Sequence, residues 1–179
     1  LRVLFNSEFF QNARFARLKN PTEVVVGTLR MVGGAEFPAP GIGELSRQPS
    51  YMGQDLLNPP SVEGWYGGAD WINTGAMVER INFASARFGN TDRPGVRSII
   101  DIVKSGAGGE SISPEALVDA CLNQLCMFDL SEITLKELID YARKRGNMEF
   151  SDSYKAAEAE RNIVAMLQLI VATKEYQLA

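Results

Sequence analysis

The sequence predicts an all-α protein, an irregular bundle of helices that also carries one long ordered loop rich in proline, glycine and tryptophan. Three observations predict this class. Several segments repeat apolar residues at the three- and four-residue spacing of an amphipathic helix. Capping residues precede these segments and glycines follow them. No segment shows the sustained alternation of apolar and polar residues that indicates a strand.

The N-terminal third contains two clear helical signals. Residues 1–10, LRVLFNSEFF, have the composition of a helix interior, with a restart at Ser7. Further on, Asn20 is a predicted N-cap, Pro21 occupies the first helical position, and Glu23 completes a capping box. This helix should end at Gly33 or Gly34. Its predicted apolar face consists of Val24, Val25, Thr28, Leu29 and Val32.

The middle of the chain alternates loops with helices. GGAEFPAPGIG (residues 33–43) is a connector by composition, and a short helix broken near Pro49 follows it. After the tryptophan-containing loop, Asn73 should cap a helix that stops at Gly89. The apolar positions of that helix are Met77, Ile81, Ala84 and Phe88.

Capping residues also predict helices in the C-terminal third. A helix is expected over residues 94–104, and a second begins after Ser113 and Pro114. Thr134 and Glu137 form a predicted capping box for a third, and the last runs from about Ser153 to Thr173. We therefore expect one domain over residues 1–179, which the linker SGAGGESIS could divide into sub-lobes 1–104 and 113–179.

Composition excludes several function classes. The 179 residues include 18 basic and 22 acidic side chains, without a basic stripe, so nucleic acid is not an expected partner. Histidine is absent, which excludes catalysis by a histidine base within this chain. No residue pattern indicates a cofactor or a metal site, and no catalytic residue is predicted.

The two cysteines, Cys121 and Cys126, should lie in one helix. A separation of five residues turns them to different faces, too far apart for an unstrained disulfide. We expect two free thiols buried in the core.

No transmembrane segment or signal peptide is visible in the sequence. The longest apolar run, Ile163 to Ala172, is about half the length that crosses a bilayer and is predicted to be a core helix. Because the chain starts without methionine, inside an apparent helix, we expect it to be the C-terminal piece of a longer protein.

The loop NPPSVEGWYGGADWIN contains the candidate site. Its prolines force an extended path, and its glycines permit backbone conformations that other residues resist. The aromatic side chains could stack on a sugar ring or another flat ligand, or they could anchor the loop to the helices. Both readings stay open. The candidate ligand-binding residues are Asn58, Trp65, Tyr66, Asp70, Trp71 and Asn73.

Four segments resemble the C-terminal part of a bacterial family known as domain of unknown function 1800. They are LKNPTEVVVGTLRMVG, MGQDLLNPPSVEGWYGGADWINT, ERINFASARFG and MLQLIVATKEYQLA. Tyr66 stands where the family pattern leads us to expect proline. The resemblance implies a mostly helical, longer protein that is often exported, to the periplasm or beyond the cell, with histidine-containing segments upstream.

Two functional hypotheses follow. The first is a non-catalytic helical module of an exported bacterial protein, with a role in packing, assembly or the cell envelope. The second is the ligand-binding part, for instance for a glycan, of an enzyme whose catalytic residues lie upstream. Under either hypothesis, the upstream region of the same protein is an expected contact of this chain.

Overall fold

The structure is a computed structural model that describes residues 1–13, 15–34, 40–106, 111–127 and 129–179. It is predominantly α-helical, as the sequence predicts. The helices are α1 (Arg2–Phe5), α2 (Glu8–Asn12), α3 (Pro21–Val32), α4 (Ile42–Leu45), α5 (Gln48–Tyr51), α6 (Thr74–Phe88), α7 (Pro94–Gly106), α8 (Pro114–Gln124), α9 (Glu132–Arg143) and α10 (Ser153–Val171). Short 3-10 turns occur at Gly68–Trp71 and Glu175–Gln177, and β1 (Ser111–Ile112) pairs antiparallel with β2 (Met148–Glu149).

Helix α10 lies at the centre of the larger hydrophobic core, where it contacts α6, α7, α8 and α9. It contains the apolar run that the sequence predicts to be a core helix. Burying a side chain of leucine or isoleucine size stabilises a fold by about 1.5–3 kcal/mol, so this face holds the surrounding helices together. Its fully enclosed residues are Ile163, Met166, Leu167, Ile170 and Val171.

The larger core draws on both ends of the chain. Val32, Phe88 and Ile100 contribute from the first 104 residues, and Leu117 and Ile163 contribute from residues 113–179. Helices of the two ranges therefore share one core. A smaller cluster lies between α3, α5 and α6 and consists of Val24, Val25, Met52 and Phe83.

Predicted caps start the two longest N-terminal helices. The Asn20 side chain accepts a hydrogen bond from the Glu23 amide at 2.9 Å, and the Glu23 carboxylate accepts one from the Asn20 amide at 2.8 Å. This is the predicted capping box of α3. Asn73 caps α6 by accepting from the Ala76 amide at 2.9 Å. Gly33 ends α3 with a positive φ of 69°, again as predicted.

The buried face of α6 differs from the predicted one. Ala84 and Phe88 are enclosed as expected, but Met77 and Ile81 are only half-buried. The reason is that α6 lies between α3 and α10, so that two of its faces are covered. The additional buried positions are Ala76, Arg80 and Phe83.

Helix α9 begins earlier than predicted. Ser131 is its N-cap, and the Ser131 hydroxyl accepts from the Thr134 amide at 3.2 Å. The predicted capping box of Thr134 and Glu137 is therefore wrong. Thr134 already lies within the first turn, and its hydroxyl donates instead to Glu175 Oε1 at 3.0 Å.

Both cysteines are free, but only Cys121 is buried. The prediction that Cys126 shares its helix and lies in the core is wrong, because α8 ends at Gln124. Cys126 has a left-handed φ of 54° and the Met127 amide donates back to Leu122 O at 3.0 Å. Glycine is usual at such a position, so the sequence did not mark this helix end.

Smaller differences concern short elements. The segment around Pro49 forms two separate turns, α4 and α5, rather than one broken helix. The β1–β2 pair was not expected, since two-residue strands are too short to show alternation. Of the predicted connector and linker, residues 35–39 and 107–110 lie outside the described residues.

The C-terminal segment pairs with the residues that precede α3. The Arg17 and Ala179 backbones exchange hydrogen bonds of 3.3 and 2.7 Å, and the Lys19 amide donates to Gln177 O at 2.8 Å. Leu18 therefore lies beside Leu178 in a β-bridge. This pairing brings the turn Glu175–Gln177 next to the N-terminus of α3.

The first two helices, called here the N-terminal helix pair (Arg2–Asn12), bury none of their residues. Ser7 caps α2 by accepting from the Phe10 amide at 3.2 Å, at the predicted restart. The Phe5 and Phe10 rings meet edge to face with centroids 4.9 Å apart. Exposed apolar side chains on and beside this pair are Leu1, Val3, Leu4, Phe5, Phe9 and Phe10.

Candidate functional site

The predicted site is the loop between α5 and α6, and its tryptophans have different surroundings. Trp71 ends the 3-10 turn and is 7% exposed. Trp65 is half-buried, and its indole N–H donates to Asp55 O at 3.2 Å. Tyr66, between them in the chain, is 67% exposed. These three described side chains form no ring pair with one another.

The polar side chains of the loop are mostly engaged with the loop itself. Asn58 donates to the Asp55 carboxylate at 2.9 Å, and Ser50 donates to the same carboxylate at 3.0 Å. Hydrogen bonds from Asn58 and then Ser50 hold the pKa of Asp55 below its usual value. Asn73 is occupied as the cap of α6. Asp70 is exposed on the 3-10 turn.

The structure thus brings Asn58 and Trp65 together at Asp55, and Trp71 and Asn73 together at the start of α6. Such a loop presents Tyr66 to solvent and uses its other aromatic and amide groups for its own conformation. Asp55 was not recognised from the sequence. Its signal is the three-residue spacing to Asn58, which suits a side-chain hydrogen bond within one turn.

A second candidate is a cavity of about 210 Å³ beside the C-terminal turn, called here the C-terminal cavity. It forms where the C-terminal segment and the end of α8 approach the residues that precede α3. Most of its wall is apolar. The lining residues are Phe15, Lys19, Met31, Leu125, Cys126, Met127, Asp129, Leu130, Glu175, Tyr176, Leu178 and Ala179.

Glu175 is a charged residue of this wall whose side chain is only 8% exposed. Its Oε1 accepts from the Thr134 hydroxyl at 3.0 Å and from the Ser131 amide at 3.3 Å, and Lys174 Nζ lies 3.9 Å away. Its Oε2 is buried without a hydrogen-bond partner among the described residues.

The pKa of Glu175 lies below its usual value. Burial alone would raise that pKa, but hydrogen bonds from its own amide, from Thr134 and from Ser131 together outweigh burial. The carboxylate is therefore ionised at neutral pH. It suits acceptance of a hydrogen bond rather than proton donation.

Lys19 and Tyr176 also carry polar groups at the cavity wall. Lys19 Nζ donates to Tyr176 O at 2.7 Å and lies 4.7 Å from the centroid of the Tyr176 ring. Burial is the main cause that lowers the pKa of Lys19. The Tyr176 hydroxyl bonds to Thr28 Oγ1 at 2.8 Å, and burial raises the pKa of that tyrosine.

Two residues of the wall have strained backbones. Phe15 and Cys126 both have φ of 54°, in the left-handed region. Residues other than glycine rarely adopt this backbone conformation. Strain of this kind tends to occur at functional sites.

Arg80 lies behind the same C-terminal segment and is fully enclosed. Its Nη1 donates to Lys19 O at 3.0 Å and to Gln177 Oε1 at 3.3 Å, whereas Nε and Nη2 have no partner in the described parts of the chain. Burial lowers the pKa of Arg80. A guanidinium in this position links α6 to both segments of the β-bridge between Leu18 and Leu178.

The sequence analysis missed Glu175 and Arg80. The signal for Arg80 is its place four residues after Ala76 and four before Ala84, on a stripe that proves to be buried. The signal for Glu175 is weaker: it is the one acidic residue in the ending VATKEYQLA, beside Tyr176. Their importance depends on contacts with distant residues.

The described ranges contain no group of three or more cysteine, aspartate or glutamate side chains arranged to hold a metal ion. Within the same ranges, no helix combines the length and the apolarity needed to cross a membrane.

Comparison with known protein families gives a match over nearly the whole chain. The family model described as "Protein of unknown function (DUF1800)" matches residues 1–178. No curated protein and no solved structure matches the chain. The family match spans the N-terminal helix pair, the tryptophan-containing loop and the C-terminal cavity, and it agrees with the resemblance in the four sequence segments. The chain belongs to the DUF1800 family.

Proposed function

We propose that this chain is a non-catalytic helical module of an exported bacterial protein, and that it serves packing or assembly in the cell envelope. The observation that carries the proposal is the exposed apolar surface of the N-terminal helix pair. Phe9 is 77% exposed and Val3 is 87% exposed, and both lie beside other exposed apolar side chains. Apolar side chains grouped in this way are typical of surfaces that another polypeptide segment covers.

The absence of a catalytic role is supported by the candidate loop. Asn58, Trp65 and Asn73 use their polar groups for hydrogen bonds that fix the loop and cap α6. Groups engaged in this way are not free to position a substrate. The chain also contains no histidine to act as a general base.

We propose that the segment covering the helix pair belongs to the same polypeptide. The family resemblance implies a longer protein, and a neighbouring segment of one chain reaches such a surface at high effective concentration. The role of the helix pair is then to join this module to the preceding region. Export, which the resemblance also implies, is tested by fractionating the source bacterium, where the protein is expected outside the cytoplasm.

The double variant Phe5→Asp/Phe9→Asp tests the assembly role. In the 179-residue chain, we expect little change in its melting temperature, because neither side chain is buried and the Phe5–Phe10 contact that is lost lies at the surface. In the full-length polypeptide, we expect a lower melting temperature and faster amide exchange in residues 2–12, because two charges would enter an apolar contact.

Val62→Asp is the matched control, since Val62 is fully exposed and lies far along the chain from the helix pair. Val62→Asp should change neither the melting temperature nor the amide exchange of residues 2–12, in the 179-residue chain or in the full-length polypeptide. The proposal is wrong if the double variant leaves the full-length protein as stable as the wild type while amides of residues 2–12 exchange freely in both.

A second candidate function is glycan binding by the tryptophan-containing loop, and the exposed Tyr66 ring favours it. A stacking ring on a loop of fixed conformation is a common form of sugar contact. Titration of soluble oligosaccharides into wild type and Tyr66→Ala, followed by NMR, tests this idea. Saturable shifts that disappear in the variant would support it, and no shifts in the wild type would end it.

A further inference from the structure

The C-terminal cavity is large enough for a small organic molecule. Its volume of about 210 Å³ exceeds the roughly 150 Å³ of an apolar cavity that holds benzene. Side chains from four separate parts of the chain form its wall, including Phe15, Met31, Leu130 and Leu178. An apolar body of benzene size therefore fits the walls in both chemistry and volume.

One polar group of the wall is incompletely satisfied. Glu175 Oε1 has partners in Thr134 and Ser131, but Oε2 is buried without one. A buried acceptor without a donor destabilises the unliganded protein. A ligand that brings an N–H donor would restore that hydrogen bond, and a charged donor would also meet an ionised carboxylate.

The charges of the wall favour a cation over an anion. Among the described lining residues, Glu175 and Asp129 are acidic and Lys19 is basic. Lys174, outside that lining and exposed, places its ammonium 3.9 Å from Glu175 Oε1, on the oxygen that already has partners. The Lys19 ammonium is already bonded to Tyr176 O at 2.7 Å and lies over the ring of that residue. An anionic ligand would have to compete with this contact and would approach two carboxylates.

The wall can adapt to a ligand. Glu175 Oε2 is enclosed, so a donor reaches it only if neighbouring side chains shift. Met31, Met127 and Leu130 are only partly buried, and methionine changes conformation at low cost. These side chains can change rotamer to admit a ligand while the helix backbones stay in place.

We propose that the C-terminal cavity binds a small organic cation, an amine with an apolar body, whose ammonium group donates to the Glu175 carboxylate. The apolar body lies against the methionine, leucine and phenylalanine side chains. This binding site is separate from the N-terminal helix pair, and the proposal does not depend on the assembly role.

Three ligands of one shape test the charge preference. Benzylamine is a cation, benzyl alcohol is a neutral donor, and benzoate is an anion. Each is titrated into the wild-type protein and followed by NMR chemical shifts. We expect saturable binding of benzylamine, weaker binding of benzyl alcohol and no saturable binding of benzoate.

The thiol of Cys126 provides an independent readout, because it is exposed and lines the cavity. A thiol-specific aromatic disulfide reagent, followed by absorbance, should react with Cys126 more slowly when benzylamine is bound. Cys121 is buried, and burial raises the pKa of its thiol to about 12. It should stay unreactive, and its reaction would report unfolding.

Glu175→Gln keeps the shape of the side chain and removes its charge. We expect it to weaken benzylamine binding by at least about tenfold. Glu158→Gln is the matched control, since Glu158 is exposed on α10 and lies outside the cavity wall. It should bind benzylamine like the wild type.

The proposal is overturned if benzoate or benzyl alcohol binds as tightly as benzylamine, or if no ligand gives saturable shifts. Equal affinity of folded Glu175→Gln and wild type would overturn it as well. If Glu175→Gln fails to fold, the ligand series and the Cys126 reaction rates in the wild type still test whether the cavity binds an organic cation.

Discussion

Trp65 and Trp71 lie six residues apart in one loop, yet they have different physical roles. Trp71 is almost fully enclosed, so its contribution comes from the apolar area that it removes from water. Trp65 is half-buried and contributes a single hydrogen bond to Asp55 O in addition to its packing. Tyr66 is exposed and contributes little to the loop.

This difference predicts the order of stability losses. Trp71→Ala should lower the free energy of unfolding by about 3–5 kcal/mol, because it leaves a large cavity. Trp65→Phe should lower it by about 0.5–1.5 kcal/mol, because it mainly removes one hydrogen bond. Urea denaturation followed by circular dichroism measures both.

Tyr66→Ala is the control for the pair and should change the free energy of unfolding by less than about 0.5 kcal/mol. Fluorescence gives a second check. In Trp65→Phe the remaining indole should emit at short wavelength and resist quenching, whereas in Trp71→Phe it should be quenched more readily. The opposite order would contradict the burial described here.

At the scale of elements, the contact between α3 and α7 depends on one glycine. A Cβ atom at Gly95 would collide with Met31 O and would lie 2.9 Å from Val32 O. Both acceptors are backbone atoms of α3, which cannot rotate away as a side chain could. The close approach brings Val32 and Val96 into the larger core, where both are fully enclosed.

Gly95→Ala should therefore separate α3 from α7 and lower the free energy of unfolding by about 1–3 kcal/mol or more. Thermal denaturation measures this loss. Gly27→Ala is the opposite case. Gly27 is solvent-exposed in the middle of α3, and an added Cβ atom would meet nothing within 4 Å.

Gly27→Ala should raise the free energy of unfolding by about 0.5–1 kcal/mol, because alanine favours the helix. A Gly95→Ala protein as stable as the wild type would show that α3 and α7 can separate without loss.

At the scale of the whole molecule, Glu160 joins α7 to α10 through charge. Its carboxylate accepts from Arg97 Nη1 at 2.6 Å and from Lys104 Nζ at 3.1 Å. Burial alone would raise the pKa of Glu160, but the hydrogen bonds from Lys104 and Arg97 outweigh burial and lower it. The folded protein therefore holds this proton less tightly than the unfolded chain does.

The sign of the pH dependence follows. A folded-state pKa below the unfolded-state value stabilises the protein fully above about pH 4.5, and this contribution is lost as pH falls through the folded-state pKa. We expect Glu160→Gln to be less stable than the wild type at pH 7, and the difference to shrink toward pH 3. Urea denaturation across this pH range measures it.

Glu158→Gln, on the same helix and exposed, should show no such pH-dependent difference. If the gap between Glu160→Gln and wild type stayed constant from pH 7 to pH 3, its origin would be packing rather than charge.

The sequence by itself determined where the main helices begin. Asn20, Asn73 and Ser113 are predicted as caps because asparagine and serine side chains suit this position. In the structure each accepts a hydrogen bond from the amide three residues later. Such contacts depend only on neighbouring residues, so a local pattern is enough to predict them. The same reasoning placed the N-cap of α9 wrongly, since Ser131 and Thr134 both suit a cap and the choice depends on Glu175.

Only the tertiary structure decided which candidate residues meet. Lys19 and Tyr176 are 157 residues apart in the chain, and Arg80 and Gln177 are 97 apart, yet each pair is in contact. The C-terminal cavity exists because the C-terminal segment pairs with the residues before α3. No local pattern encodes that pairing, because its free energy comes from hydrogen bonds and apolar burial between distant segments.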